Sequence, residues 1–188
     1  MKMNKKIAIV SVLVALCIFV VACGTSCGKK SDSDGTKPLQ NMTPEEILYE
    51  IYKIGGYSER LSELINSDYS EGDDFTNHLV TTKIDADNCM YFFGTDEIPF
   101  ESAVGSEPAI NPTLLHTVCV IKLKSESFGE NAVKLLRENV DPMKWVCTGL
   151  SSHDIYIGRS GDIVVLIMNR DDGEKLLDAF YTVCSRSE

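Results

Sequence analysis

Ile155-Tyr156-Ile157-Gly158-Arg159-Ser160-Gly161-Asp162-Ile163-Val164-Val165-Leu166-Ile167-Met168 decides the architecture of this chain. Two β-prone runs flank a segment of turn formers, Gly158 to Asp162, which is the pattern of a β-hairpin. Ile163 to Met168 is apolar at every position, so both faces of that strand must be covered and it belongs inside a sheet. Asp171 or Asp172 then caps a last helix, with Leu176, Leu177, Phe180, Val183 and Cys184 facing inward.

Upstream, Thr117 to Leu123 alternates Thr117, Cys119, Ile121 and Leu123 against Lys122 and Lys124, a strand signal. Ser127-Phe128-Gly129-Glu130 has the form of a capping box and predicts a helix with Phe128, Ala132, Leu135 and Leu136 on one side. Asp141-Pro142 ends that helix, because the residue before proline is pushed out of the α region. Asn88 to Phe93 has high β-propensity and predicts another strand, with Phe92 and Phe93 on opposite faces. Pro99, Pro108 and Pro112 exclude regular structure across much of Thr95 to Pro112. At the start of the domain, Thr43 and Glu46 form a capping box around Pro44, and Met42 and Ile47 are spaced as a hydrophobic staple. Ile47, Leu48, Ile51, Tyr52 and Ile54 share a helical face that Gly55-Gly56 terminates, and Leu61, Leu64 and Ile65 suggest a second short helix. Ser67 to Thr76 reads as an acidic loop. The order α-(α)-β-β-α-β-β-α predicts an α+β domain over residues 42–188, with helices packed on a mostly antiparallel sheet of four or five strands.

Ahead of this domain lie two segments of different character. Lys2, Lys5 and Lys6 precede an apolar run from Ile7 to Ala22 broken only by Ser11, and Val20-Val21-Ala22-Cys23-Gly24 follows as a lipoprotein cleavage box. At about 1.5 Å per residue the run spans roughly 24 Å, short of the ~30 Å hydrocarbon core, which suits a processed leader over residues 1–22. Cys23 would then carry the lipid, and a lipid bilayer becomes its partner; the alternative is an uncleaved anchor in which Cys23 is one more small residue. Residues 23–41 are dominated by Gly, Ser, Lys and Asp, the composition of a flexible tether. This placement is extracytoplasmic, at the cell membrane.

The 188 residues less 22 leave 166, enough for one domain. The formal charge of -10 becomes -13 once the three leader lysines are gone, which disfavours nucleic acid and anionic lipid as partners. Cys27, Cys89, Cys119, Cys147 and Cys184 remain, with no C-x-x-C pair, and four of them sit in apolar patterns that suit core packing.

Thr117 through Met168, with its aliphatic strand, capped helix and Gly161-Asp162-Ile163-Val164-Val165-Leu166-Ile167-Met168 run, resembles a domain-of-unknown-function family of lipoproteins from clostridia and related Gram-positive bacteria. The resemblance covers roughly residues 85–185 and rests on packing patterns. It implies no activity, ligand or catalytic residue.

The search for reactive constellations returns little. His78, His116 and His153 lie in different regions and in no metal-ligand spacing, and no motif for a cofactor occurs. Gly158-Arg159-Ser160-Gly161 resembles a nucleophile elbow only superficially, since its serine lies between two strands. Asp85, Asp87 and Asn88 begin like a calcium loop that lacks its glycine and distal glutamate. Lys144-Trp145 is the binding candidate, as an aromatic beside a cation is common at interaction surfaces, although core packing of the tryptophan competes with that reading. These features favour a non-catalytic binding or accessory domain for an envelope protein or peptide. The alternative is an envelope hydrolase assembled from residues such as Ser152, His153 and Asp154.

Overall fold

Ile163–Asn169 is buried at every position and lies inside the sheet, as its composition requires. The computed structural model describes residues 37–67, 77–110, 114–145 and 148–186. Within them five strands, β1 (Leu79–Ile84), β2 (Phe100–Pro108), β3 (His116–Leu123), β4 (Ile155–Ser160) and β5 (Ile163–Asn169), form one sheet in the order β1-β2-β3-β5-β4. Every neighbouring pair is antiparallel. The helices are α1 (Pro44–Ile54), α2 (Glu59–Asn66), α3 (Cys89–Phe93), α4 (Gly129–Asn139) and α5 (Gly173–Arg186). The α+β class with a five-stranded antiparallel sheet is therefore as the sequence predicts.

Side-chain alternation divides the interior into two cores. Val118, Val120, Ile163, Val165 and Ile167 meet residues of α1, α2 and α5 on one face. Cys119, Ile121, Val164, Leu166 and Met168 meet residues of α3 and α4 on the other. The α1 capping box forms as read: the Glu46 N–H donates to Thr43 Oγ1 at 3.2 Å, and the Thr43 N–H donates to Glu46 Oε2 at 2.7 Å. Lys37 hydrogen-bonds the same carboxylate and holds it below its ordinary pKa. Met42 and Ile47 are both buried, and Gly55 ends the helix at φ 74°. The β4–β5 turn narrows to Gly161-Asp162, with Gly161 at φ 58°, because Gly158 to Ser160 already belong to the strand.

Three local expectations change. Asn88 to Phe93 is not a strand: Asn88 closes a turn and Cys89 to Phe93 is a helix. Asn88 accepts from the Asp85 N–H and donates to the Lys83 carbonyl, while Asp85 accepts from the Asp87 N–H, so a side-chain-bonded turn replaces extension. Phe92 and Phe93 are both buried in the same core as a result. Second, β2 runs through the proline-rich stretch, starting after Pro99 and ending at Pro108. The Ala109 N–H bonds the His78 carbonyl, so Pro108 stands opposite Leu79 with its nitrogen turned from β1 towards β3, past Ser106–Val118 at the end of the β2–β3 register. Third, Ser127 does not cap α4. Ser125 caps a 3-10 turn at Glu126–Phe128, and Phe128 is exposed rather than on the inward side.

Gly105 sits under Phe92, and a Cβ there would lie 2.4 Å from a ring carbon of Phe92. Gly105→Ala should lower stability by about 1–3 kcal/mol, measured by urea unfolding. Adding Phe92→Leu should recover part of that loss, and strict additivity of the two changes would refute the contact.

Candidate functional site

Polar residues gather at the end of the sheet where β2 and β5 finish and β3 begins. Ser106, His116, Thr117 and Asn169 are all buried there. Strand alternation sends Ser106, His116 and Asn169 towards α1, and sends Glu107 and Thr117 towards α3.

On the α1 face the hydrogen bonds form a directed chain. The Asp172 N–H donates to Asn169 Oδ1 at 2.6 Å, so the Asn169 amide nitrogen is the donor to His116 Nδ1 at 2.9 Å. His116 must then carry its proton on Nε2 and donate it to the Tyr52 oxygen at 3.0 Å. The Ser106 hydroxyl lies beside this phenol but outside hydrogen-bonding geometry. Burial pushes the His116 pKa down to about 3; the Asp172 carboxylate opposes the shift and Lys144 adds to it. The imidazole is thus neutral in the fold. Beyond it, Asp172 accepts the backbone N–H of Ser58 at 2.8 Å and its hydroxyl at 2.5 Å, joining the start of α2 to the start of α5. Either aspartate could have capped α5 on sequence grounds. In the structure the Asp172 carbonyl accepts the Leu176 N–H, while its side chain serves α2.

On the opposite face lie the two sequence candidates. Lys144 Nζ is 2.6 Å from Glu107 Oε1, with side chains only 5% and 16% exposed. That distance makes an ion pair, although the ammonium is not aligned for a hydrogen bond. The same nitrogen stands 4.4 Å from the Tyr91 ring centre, 5.1 Å from Phe92 and 5.2 Å from Trp145. Thr117 Oγ1 and the Tyr91 hydroxyl donate to the two Glu107 oxygens at 2.5 and 3.0 Å. Trp145 is a core residue at 3% exposure, and its indole N–H has no partner among the described residues. The pair therefore does not present a tryptophan to solvent. Lys144 instead ties the segment after α4 to β2.

Glu107, Thr117 and Tyr91 were not singled out from the sequence. Glu107 was hidden inside a stretch read as irregular, and Tyr91 inside a stretch read as a strand. One signal was available: Lys144 is a charged residue directly beside the only tryptophan, where a buried counter-ion would be needed.

Ser152, His153 and Asp154 form a 3-10 turn in which Ser152 and His153 are exposed and Asp154 is half-buried. Asp154 accepts from the Ser151 N–H and from Arg170, and among the described residues no hydrogen bond reaches the His153 ring. Cys89, Cys119 and Cys184 are buried, and burial raises the Cys119 thiol to about 12. Cys23, Cys27 and Cys147 lie outside the described residues. Among the described residues no His/Cys/Asp/Glu group has a metal-holding arrangement. No protein-family model matches the chain, and no curated protein or solved structure matches it significantly.

Lys144→Met leaves Glu107 half-enclosed without its cation and should cost about 3 kcal/mol in urea unfolding. The double change Lys144→Met with Glu107→Leu should cost less than the single one; a larger loss would show that the ion pair is not the source. His116 supplies a pH signature. Its free imidazole in the unfolded chain titrates near its ordinary value, about 6.5, while the folded one resists protonation until about 3. Stability should accordingly fall as pH drops from 6.5 towards 3, by up to about 1.4 kcal/mol per unit from this group. His116→Gln should flatten that slope, and an unchanged slope would remove His116 as its cause.

Proposed function

We propose that this protein is a lipid-anchored lipoprotein on the outer face of the cell membrane, with a non-catalytic domain that binds an envelope protein or peptide. The observation that carries the reading is the run from Lys2 to Gly24: basic head, apolar stretch and a small-residue box closing on Cys23. Cys23 is followed by residues 24–36 before the described domain opens at Lys37. Such a linker reaches at most about 45 Å when fully extended, enough for a domain to stand clear of the headgroups. The charge of -13 on the processed chain favours the same separation from anionic lipid. On the binding side, the chemically versatile groups His116 and Cys119 are engaged in packing and structural hydrogen bonds. Recognition then falls to the surface.

The anchor is tested by mass spectrometry of the amino terminus and by metabolic labelling with an alkyne fatty acid. Wild type should begin at Cys23 with a diacylglycerol thioether and partition with membranes, whereas Cys23→Ala should take up no label and keep its leader. A native protein recovered from cytosol with an unmodified Met1 would refute the proposal.

A further inference from the structure

The sheet has two outer strands, and the helical layers treat them differently. β4 lies against α4 and α5, and Arg159 fastens it to Glu130 at 2.6 Å. By contrast, Val80, Thr81, Thr82 and Lys83 of β1 are all exposed, four successive residues whose side chains alternate between both faces. A strand bare on both faces, in a sheet otherwise sandwiched, is an edge that another chain can extend.

Its backbone is correctly phased for that. The Ala109-to-His78 hydrogen bond sets the ladder so that Val80–Glu107 and Thr82–Gly105 are the hydrogen-bonded pairs. Leu79, Thr81 and Lys83 consequently turn their backbone groups away from β2. Asn88 Nδ2 occupies the Lys83 carbonyl at 3.0 Å. Three outward N–H groups and the carbonyls of Leu79 and Thr81 are left without a protein partner among the described residues. β1 itself contains no proline or bulge, and its six residues pair with β2 in unbroken register. Exposed apolar groups lie on the α3 side: Val80 at 41% exposure, Tyr91 at 45% and Met90 at 57%. Tyr91 is held there by its hydrogen bond to Glu107, which is the cross-strand neighbour of Val80.

We infer that β1 is a docking edge on which an extended, net-basic segment of a partner protein adds as a sixth strand. Alternating N–H and C=O groups at strand spacing are matched by an extended backbone. Apolar side chains of the incoming segment pack on Val80 and Tyr91. Charge selects between occupants: a second copy would bring another strongly negative chain, -10 even with its leader, towards this one, whereas a basic segment is drawn in. The inference deepens the binding reading above by giving it a surface, and it is independent of the anchor.

The test uses the full chain in neutral detergent micelles and amide hydrogen exchange followed by NMR. The probe is a short peptide of alternating valine and lysine. It should slow exchange at Leu79, Thr81 and Lys83 by at least about tenfold while leaving the amides of Val80 and Thr82, already in the ladder, unchanged. A version with glutamate in place of lysine should bind at least about tenfold more weakly at low salt, and a version N-methylated at the residues facing β1 should give no protection. Thr81→Pro, which removes an outward donor, should abolish the effect. The proposal is overturned by absence of protection up to millimolar peptide or by equal binding of the three probes. Protection that grows with protein concentration in the absence of peptide would also overturn it, identifying a second copy as the occupant. Amino-terminal mass spectrometry decides the anchor separately, so failure at the edge is distinguishable from failure of the localisation.

Discussion

β3 and β5 are covered on both faces, and that double burial dictates how every polar group near them must be handled. Water cannot reach the ends of these strands, so a side chain such as His116 or Asn169 has to find its partner inside the protein. A hydrogen bond made there adds only about 1 kcal/mol net, but one left unmade costs about 1–3 kcal/mol. That asymmetry explains a continuous chain from Asp172 through Asn169 and His116 to Tyr52, each link fixing the donor role of the next. It also accounts for the tautomer of His116, since a second ring proton would point at a nitrogen that is itself a donor.

The two sides of the sheet solve the same problem with different chemistry. The α1 side keeps a neutral imidazole, while the α3 side keeps an ion pair wrapped by three aromatic rings and two hydroxyl donors. The solutions are coupled through the sheet, because the Lys144 charge opposes protonation of His116. Two stacked cations at one end of an apolar sheet would repel, and the arrangement avoids that by allowing only one.

What could be read in the sequence followed from patterns that need no partner to interpret. Ile163 to Met168 announced an interior strand through continuous apolarity, and Thr43 with Glu46 announced a helix start through a bond three residues long. The errors arose where a distant or unusual contact overrode local preference. Aromatic and β-prone residues at Met90 to Phe93 entered a helix because Asp85 and Asn88 bent the chain just before them. Prolines at 99 and 108 bounded β2 rather than breaking it, since one precedes its first residue and the other is its last, beyond Ser106–Val118 at the end of the register with β3. Lys144 and Trp145 were visible as an unusual pair, but their role was not, because the carboxylate that explains them lies in another strand. β1 escaped notice because Thr81, Thr82 and Lys83 show no buried face to betray a strand.

The Asp172–Ser58 bonds join residues 114 positions apart. Loop closure over such a distance comes late in folding, because its entropy must be met before the contact gives anything back. The first two helices therefore cannot be locked in place until nearly the whole domain has been made. A polypeptide emerging amino terminus first would stay pliable until its last tenth arrives, and would be vulnerable to proteases throughout that interval. The carboxylate of Asp172 acts as a clasp that closes only on a finished chain.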